Sequence, residues 1–130
     1  MLRRWLGAAT LAGGLVLALG CYSERALTGP SAGACGANLD PSQFGSVIVA
    51  IQGFAFRQTP VHVRVGGKVT WINCEPVGTP AHTTTADGGA WSSPPLDPGG
   101  THTTTFPSAG TFAYHCEPHP SMTAQVIVDP

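Results

Sequence analysis

The feature that most constrains the fold of this chain is a short segment near its C-terminus, Tyr114-His115-Cys116-Glu117-Pro118-His119-Pro120-Ser121-Met122. It places Cys116, His119 and Met122 at the spacing C-x2-H-x2-M. A thiolate, an imidazole and a thioether are soft and borderline donors that suit copper, with the thioether as a weak axial ligand. Such a site needs a second imidazole, and His82 in a separate segment is the best candidate. The fold must therefore bring two distant segments together.

A period near two runs through the chain from residue 46 onwards and predicts short strands. The clearest case is 61–65, where apolar and polar residues alternate as in a half-buried strand. Phe54 and Phe56 are expected on one face. With 17 Gly and 12 Pro and no long amphipathic helical pattern, the chain favours a single antiparallel β-sandwich. Strands are predicted at 46–51, 61–65, 68–73, 101–106, 111–115 and 123–128.

The N-terminus indicates export. Arg3 and Arg4 precede an apolar run that is too short and too rich in Gly for a comfortable membrane span. The run ends in Leu17-Ala18-Leu19-Gly20-Cys21, which resembles a bacterial lipoprotein cleavage site. Residues 1–20 are therefore expected to be a signal peptide, cleaved before a lipidated Cys21. An ordinary secretory signal and an uncleaved anchor are the alternatives, and all three deliver the domain to an oxidising compartment.

Residues 21–38 are rich in Ala, Gly, Ser and Pro and are expected to form a flexible tether, followed by one domain at 39–130. Roughly 16 flexible residues span about 20–24 Å. Loss of the signal peptide removes two of the six Lys and Arg residues. The remaining four Lys and Arg and the seven Asp and Glu give the mature chain a net charge of -3. Nothing in this charge suggests nucleic acid as a partner or strong electrostatic steering.

These residues resemble a known family. The chain is similar, from about residue 45 to 129, to the cupredoxins, and among them to the small bacterial plastocyanin- and amicyanin-like proteins. The resemblance implies a Greek-key β-sandwich of seven or eight strands. It also implies one type 1 copper per chain, held by His82, Cys116, His119 and Met122. The segments that carry it are Val69-Thr70-Trp71-Ile72-Asn73, Pro80-Ala81-His82-Thr83 and 110–122.

The resemblance also implies a function. We expect an exported blue-copper protein, periplasmic or at the cell surface, that carries one electron between a redox donor and a redox acceptor and is not an enzyme. It is expected to be a monomer that touches a bacterial membrane only through a lipid on Cys21. One departure concerns Thr83, where several family members have an Asn that braces the Cys loop; the Thr83 hydroxyl is expected to do part of that work.

Two other functions remain open on sequence alone. One is copper binding for delivery rather than electron transfer. The other is a copper enzyme resembling the nitrite reductases, with a second copper held by the remaining histidines, His62, His102 and His115.

Two cysteines remain after Cys21 and Cys116 are assigned. An even remainder in an exported protein suggests a disulfide between Cys35 and Cys74. The pairing becomes ambiguous if Cys21 is not lipidated.

Overall fold

The computed structural model describes Cys35 and residues 45–130. These residues form seven strands and no helix. The described part of the chain therefore has no helix that is long and apolar enough to span a membrane. The signal peptide, Cys21 and most of the expected tether lie outside the described residues. The strands are β1 (Val47–Ile51), β2 (Val61–Arg64), β3 (Lys68–Asn73), β4 (Thr85–Ala86), β5 (Thr101–Thr105), β6 (Gly110–His115) and β7 (Thr123–Asp129).

The strands form two sheets packed as a sandwich, which confirms the predicted fold class. The first sheet has the order β1-β3-β5 and the second the order β2-β7-β6-β4. Strands β1 with β3 and β2 with β7 pair in parallel, so the sandwich is mixed, although the period of two predicted an antiparallel one. The alternation of apolar and polar residues could not predict strand direction. Direction depends on how the connections cross between the sheets, and the alternation carries no information about this.

The core lies between the sheets and is built from alternate residues of each strand. In β2 and β7 buried and exposed side chains alternate, as the pattern predicted. Strand β3 differs because five of its six residues are buried. One of its faces points into the main core, where Trp71 packs against Trp91 and Tyr114. The other face carries Ile72, which belongs to a second, smaller cluster.

The connection from β1 to β2 differs from the sequence prediction. Phe56 is 5% exposed and joins the core, whereas Phe54 is 48% exposed, so the two rings do not share a face. The reason is a tight turn within this connection, where Gly53 has a φ of 61° and Phe54 a φ of 52°. Two residues in the left-handed region reverse the chain and turn the second side chain away from the core between the sheets.

A second apolar cluster covers the outer face of the first sheet. It contains Ile48, Ile72 and Cys74, with Ala50 and Cys35 packed against it. Cys35 and Cys74 form a disulfide in this structure. Because Cys74 follows β3 directly, the bond fastens the N-terminal segment to the end of the sandwich at which β3 ends.

We expect the disulfide to contribute substantially to stability. It closes a loop with a sequence separation of 39, and the chain-entropy model gives ~4 kcal/mol for such a loop. The Cys35→Ser and Cys74→Ser double variant should therefore unfold at a clearly lower denaturant concentration. Equilibrium unfolding of the domain measures this, with reduced wild-type protein as the control. A free energy of unfolding within about 0.5 kcal/mol of wild type would contradict the prediction.

Candidate metal centre

The two-residue strand β4 positions the first histidine. It pairs with the end of β6, with Thr85 opposite His115. This pairing carries the residues just before β4 alongside the residues that follow β6. The backbone of His82 is fixed separately on Leu96, through N–H to O at 3.1 Å and the reverse bond at 2.7 Å. His82 is thus held by backbone hydrogen bonds and is fully buried.

The Cys loop joins β6 to β7 and is closed by its own backbone. The N–H of His119 donates to Cys116 O at 3.2 Å, and the N–H of Met122 donates to His119 O at 2.9 Å. The N–H of Cys116 donates to Met122 O at 3.1 Å. Pro118 and Pro120 fix the φ angle on either side of His119. The loop is therefore stiff without any further partner.

Three of the four predicted donors meet between these loops. Cys116 Sγ lies 3.6 Å from His82 Nδ1 and 3.5 Å from His119 Nδ1. The three donor atoms all lie within 4.8 Å of one another, and the described residues hold no other such group of His, Cys, Asp and Glu. Cys116 is fully buried and His119 half-buried. The cluster is thus closed on the protein side and approachable at one histidine.

The fourth predicted donor, Met122, lies in the same part of the core. It is 4% exposed and belongs to the apolar cluster that also contains Cys116. Its backbone pairs with Cys116 and His119 at the two ends of the loop. Met122 is therefore buried at the end of the loop that carries Cys116 and His119.

Thr83 links the two loops. Its backbone N–H donates to Cys116 Sγ at 3.3 Å, which gives the buried sulfur a hydrogen-bond partner. Its hydroxyl oxygen accepts the N–H of Glu117 at 2.9 Å. The hydroxyl therefore bridges to the Cys loop, in the bracing role that the sequence suggested for it.

The electrostatics of His82 favour a neutral imidazole. Burial lowers its pKa below the ordinary value of 6.5, and the nearby His119 lowers it further, while Glu75 opposes both effects. A neutral imidazole has a free lone pair on one ring nitrogen, which is the form that binds metals.

Several exposed apolar side chains lie in the loops that carry the two histidines. Pro80, Pro118 and Pro120 are all exposed. Sequence reasoning missed Phe54, whose ring centroid lies 5.2 Å from that of His82 and 5.0 Å from that of His119. Both contacts are edge-on. The available signal was Gly53 between two apolar stretches, because glycine commonly marks a turn and the turns between strands lie at the ends of a sandwich.

The three remaining histidines lie apart from this cluster and have separate partners. His62 contacts Asp129 at 3.1 Å, and His115 contacts Asp87 at 2.6 Å. His102 stacks on Trp71, and burial lowers its pKa below 6.5. Within the described part of one chain they form no second group of donors.

The donor set fits copper. Two imidazole nitrogens face one buried cysteine sulfur, and a buried methionine lies in the same loop. Such a combination of soft and borderline donors selects copper over magnesium, calcium or manganese, which prefer oxygen.

Comparison with known proteins agrees with this geometry. The sequence model of the copper-binding proteins of the plastocyanin/azurin family matches residues 45–129. Amicyanin from Paracoccus denitrificans is 36% identical over 87 residues, 65% of this chain and 66% of the relative, which is just under two thirds of its length. Amicyanin-alpha from Methylorubrum extorquens is 32% identical over 87 residues, 65% of this chain and 73% of the relative.

Solved structures show the same likeness. An oxidised mutant amicyanin is 33% identical with a TM-score of 0.60, covering 66% of this chain and 84% of that one. A mutant amicyanin with Cu(I) is 31% identical with a TM-score of 0.60, covering 76% and 91%. A copper-containing nitrite reductase from Thermus scotoductus has a TM-score of 0.61 at 22% identity, but this chain covers only 22% of it, so that likeness concerns the fold alone.

We predict that the Thr83 hydroxyl protects the Glu117 amide. In Thr83→Val the amide loses its acceptor while side-chain volume is kept, and a lost hydrogen bond of about 1 kcal/mol corresponds to roughly fivefold faster exchange. Thr83→Ser keeps the oxygen and is the matched control. Amide hydrogen exchange of the copper-free domain measures the effect. Equal protection in Thr83→Val and wild type would show that the hydroxyl does not join the loops.

Proposed function

This chain belongs to the copper-binding proteins of the plastocyanin/azurin family, and from that membership we propose that it is a blue-copper electron carrier. His82, Cys116 and His119 would hold the copper, and Met122 would supply a weaker fourth donor. The observation that carries the proposal is the convergence of two Nδ1 atoms on one buried sulfur at 3.6 and 3.5 Å.

The chain contributes a rigid set of donors. Bound copper would supply a Cu(I)/Cu(II) couple, which is one-electron chemistry. The backbone bonds of the Cys loop and the pairing of His82 with Leu96 hold the donors in place before any metal arrives. Donors fixed in this way move little when the charge at the site changes, which lowers the reorganisation that an electron transfer requires. Their burial also excludes water from the sulfur.

Electrons are proposed to enter and leave through His119. It is half-buried and lies among exposed apolar residues, Phe54, Pro118 and Pro120. A small apolar surface suits brief docking to a redox donor and a redox acceptor, because electron-transfer encounters bury little area. The net charge of -3 expected after signal cleavage gives little long-range steering.

The alternatives find less support. Delivery of copper favours an open site that exchanges metal, whereas His82 and Cys116 are both fully buried. A catalytic second copper needs further donors, and His62, His102 and His115 each contact a different partner.

We also propose export and lipidation at Cys21, from the segment that resembles a lipoprotein cleavage site. The disulfide also determines where the tether would join the domain. Cys35 is bonded to Cys74, next to Glu75, which lies 3.6 Å from His82. A tether that begins at a lipidated Cys21 would therefore reach the domain at its metal end. The anchor would then hold the metal end near the membrane without fixing its orientation, because the expected tether is flexible.

Binding of Cu(II) to the purified domain should produce an intense blue thiolate-to-copper absorption band. Cys116→Ser should abolish the band because the sulfur is its electron donor. His115→Gln, a change in the neighbouring residue on the strand, is the matched control and should keep it. Visible absorption and copper stoichiometry are the measurements. Copper bound without a blue band would overturn electron transfer in favour of delivery, and a second equivalent of copper that is lost in His115→Gln while the blue band remains would revive a second-site enzyme.

Expression of the full chain in a bacterium that processes lipoproteins tests the anchor. Wild type should incorporate radiolabelled palmitate and remain with the membrane fraction, whereas Cys21→Ala should incorporate none. Cys35→Ser is the control, because it removes a thiol of the same chain without touching the cleavage site. An unlabelled wild-type protein in the soluble periplasmic fraction would favour an ordinary secretory signal.

A further inference from the structure

A buried acid lies behind the metal centre and has no part in the ligand set. Glu75 follows the disulfide residue Cys74 and is only 3% exposed. Its own N–H donates to Asn73 Oδ1 at 3.0 Å, and Asn73 Nδ2 donates to Leu96 O at 2.7 Å. Its backbone is thus fixed to the same strand bridge that holds His82. A carboxyl group this deeply buried is costly unless specific partners compensate it.

One oxygen of Glu75 has two neighbours. Oε1 accepts the N–H of Phe54 at 2.7 Å, and the same oxygen lies 3.6 Å from His82 Nε2. His82 is fully buried, and its Nε2 has no partner within hydrogen-bonding distance among the described residues. Glu75 Oε1 is therefore the acceptor placed for the Nε2 proton, just beyond the distance of a formed hydrogen bond.

We propose that Glu75 is a positioning residue that sets the tautomer of His82. An acceptor beside Nε2 keeps the proton on that nitrogen and leaves the lone pair on Nδ1, which lies 3.6 Å from Cys116 Sγ. In the other tautomer a proton would occupy Nδ1 and block the donor. Acceptors behind a ligating histidine orient it in this way and raise its basicity. The inference rests on the proposed function, because it gives His82 the role of ligand.

The same oxygen also fixes the Gly53-Phe54 turn in the connection between β1 and β2. A φ of 52° is unusual for Phe54, because a bulky side chain rarely occupies the left-handed region. The hydrogen bond from its N–H to Glu75 stabilises this conformation and holds the ring edge-on against His82 and His119. One carboxyl group thus orients the inner histidine and the aromatic side chain that covers both.

The first test uses copper-free wild-type protein labelled with 15N in its histidines. Two-bond nitrogen–proton spectra report which nitrogen carries the proton, and the expected result is a neutral His82 protonated at Nε2 whose proton exchanges slowly with water. His62, which is exposed, serves as the internal reference for rapid exchange. A His82 protonated at Nδ1 would overturn the proposal. Because no copper is present, this result stands whether or not the blue band is found.

The second test compares three variants. Glu75→Gln keeps an acceptor oxygen, Glu75→Leu removes it at similar size, and Phe54→Gly suits the φ of 52° and removes only the ring. Glu75→Leu should lose the Nε2–H tautomer and bind Cu(I) about 10- to 100-fold more weakly in competition with a chelator. Glu75→Gln and Phe54→Gly should keep the tautomer and bind within about threefold of wild type, since both retain an acceptor behind His82.

Each result of the variant comparison decides the question. A folded Glu75→Leu with the wild-type tautomer and affinity would overturn the proposal. Should Glu75→Leu fail to fold, the wild-type tautomer and Glu75→Gln decide: retention of Nε2–H in both supports the role, and Nδ1–H in either overturns it. A blue band absent from every protein would refute the proposed function and leave the tautomer assignment intact.

Discussion

The contact between the His82 segment and the Cys loop is the constraint on which the rest of this structure depends. The sulfur of Cys116 accepts a hydrogen bond from the Thr83 N–H, and the Thr83 hydroxyl oxygen accepts one from the Glu117 N–H. Thr83 thus joins the two segments through both its backbone and its side chain. This alignment continues the antiparallel ladder between β4 and β6, where Thr85 faces His115. A shift of one residue would turn the opposite set of side chains toward the sulfur.

This contact matters because it is buried. His82 and Cys116 are fully buried, so each polar atom must find a partner in the protein or in a bound metal. The backbone of His82 is satisfied by Leu96, and Asn73 holds Leu96 and Glu75 in turn. Among the described residues the buried side-chain atoms without a partner are His82 Nε2, Trp71 Nε1 and Tyr114 Oη, and none of them is a proposed donor to the metal. Burial also favours the neutral imidazole of His82, which is the form that binds metals.

Two features outside the sandwich core converge on the same end of the molecule. The turn in the connection between β1 and β2 brings Phe54 against both histidine rings, and the disulfide brings Cys35 beside the end of β3. Both are connected to the centre through Glu75, which follows Cys74 and bonds the Phe54 N–H. The metal end is thus where the covalent, aromatic and polar contacts of the N-terminal half meet.

The sequence by itself determined the donor types, the period-two strands and the sandwich class, because these depend on local residue chemistry and on the alternation of side chains along a strand. It also singled out Cys116, His119 and their loop. Only the tertiary structure decided the parallel pairs, the two-residue strand β4, the exposed Phe54 and the approach of Glu75 to His82. These features follow from register and from contacts between segments far apart in the chain, and neither periodicity nor local propensity encodes which distant residues will meet.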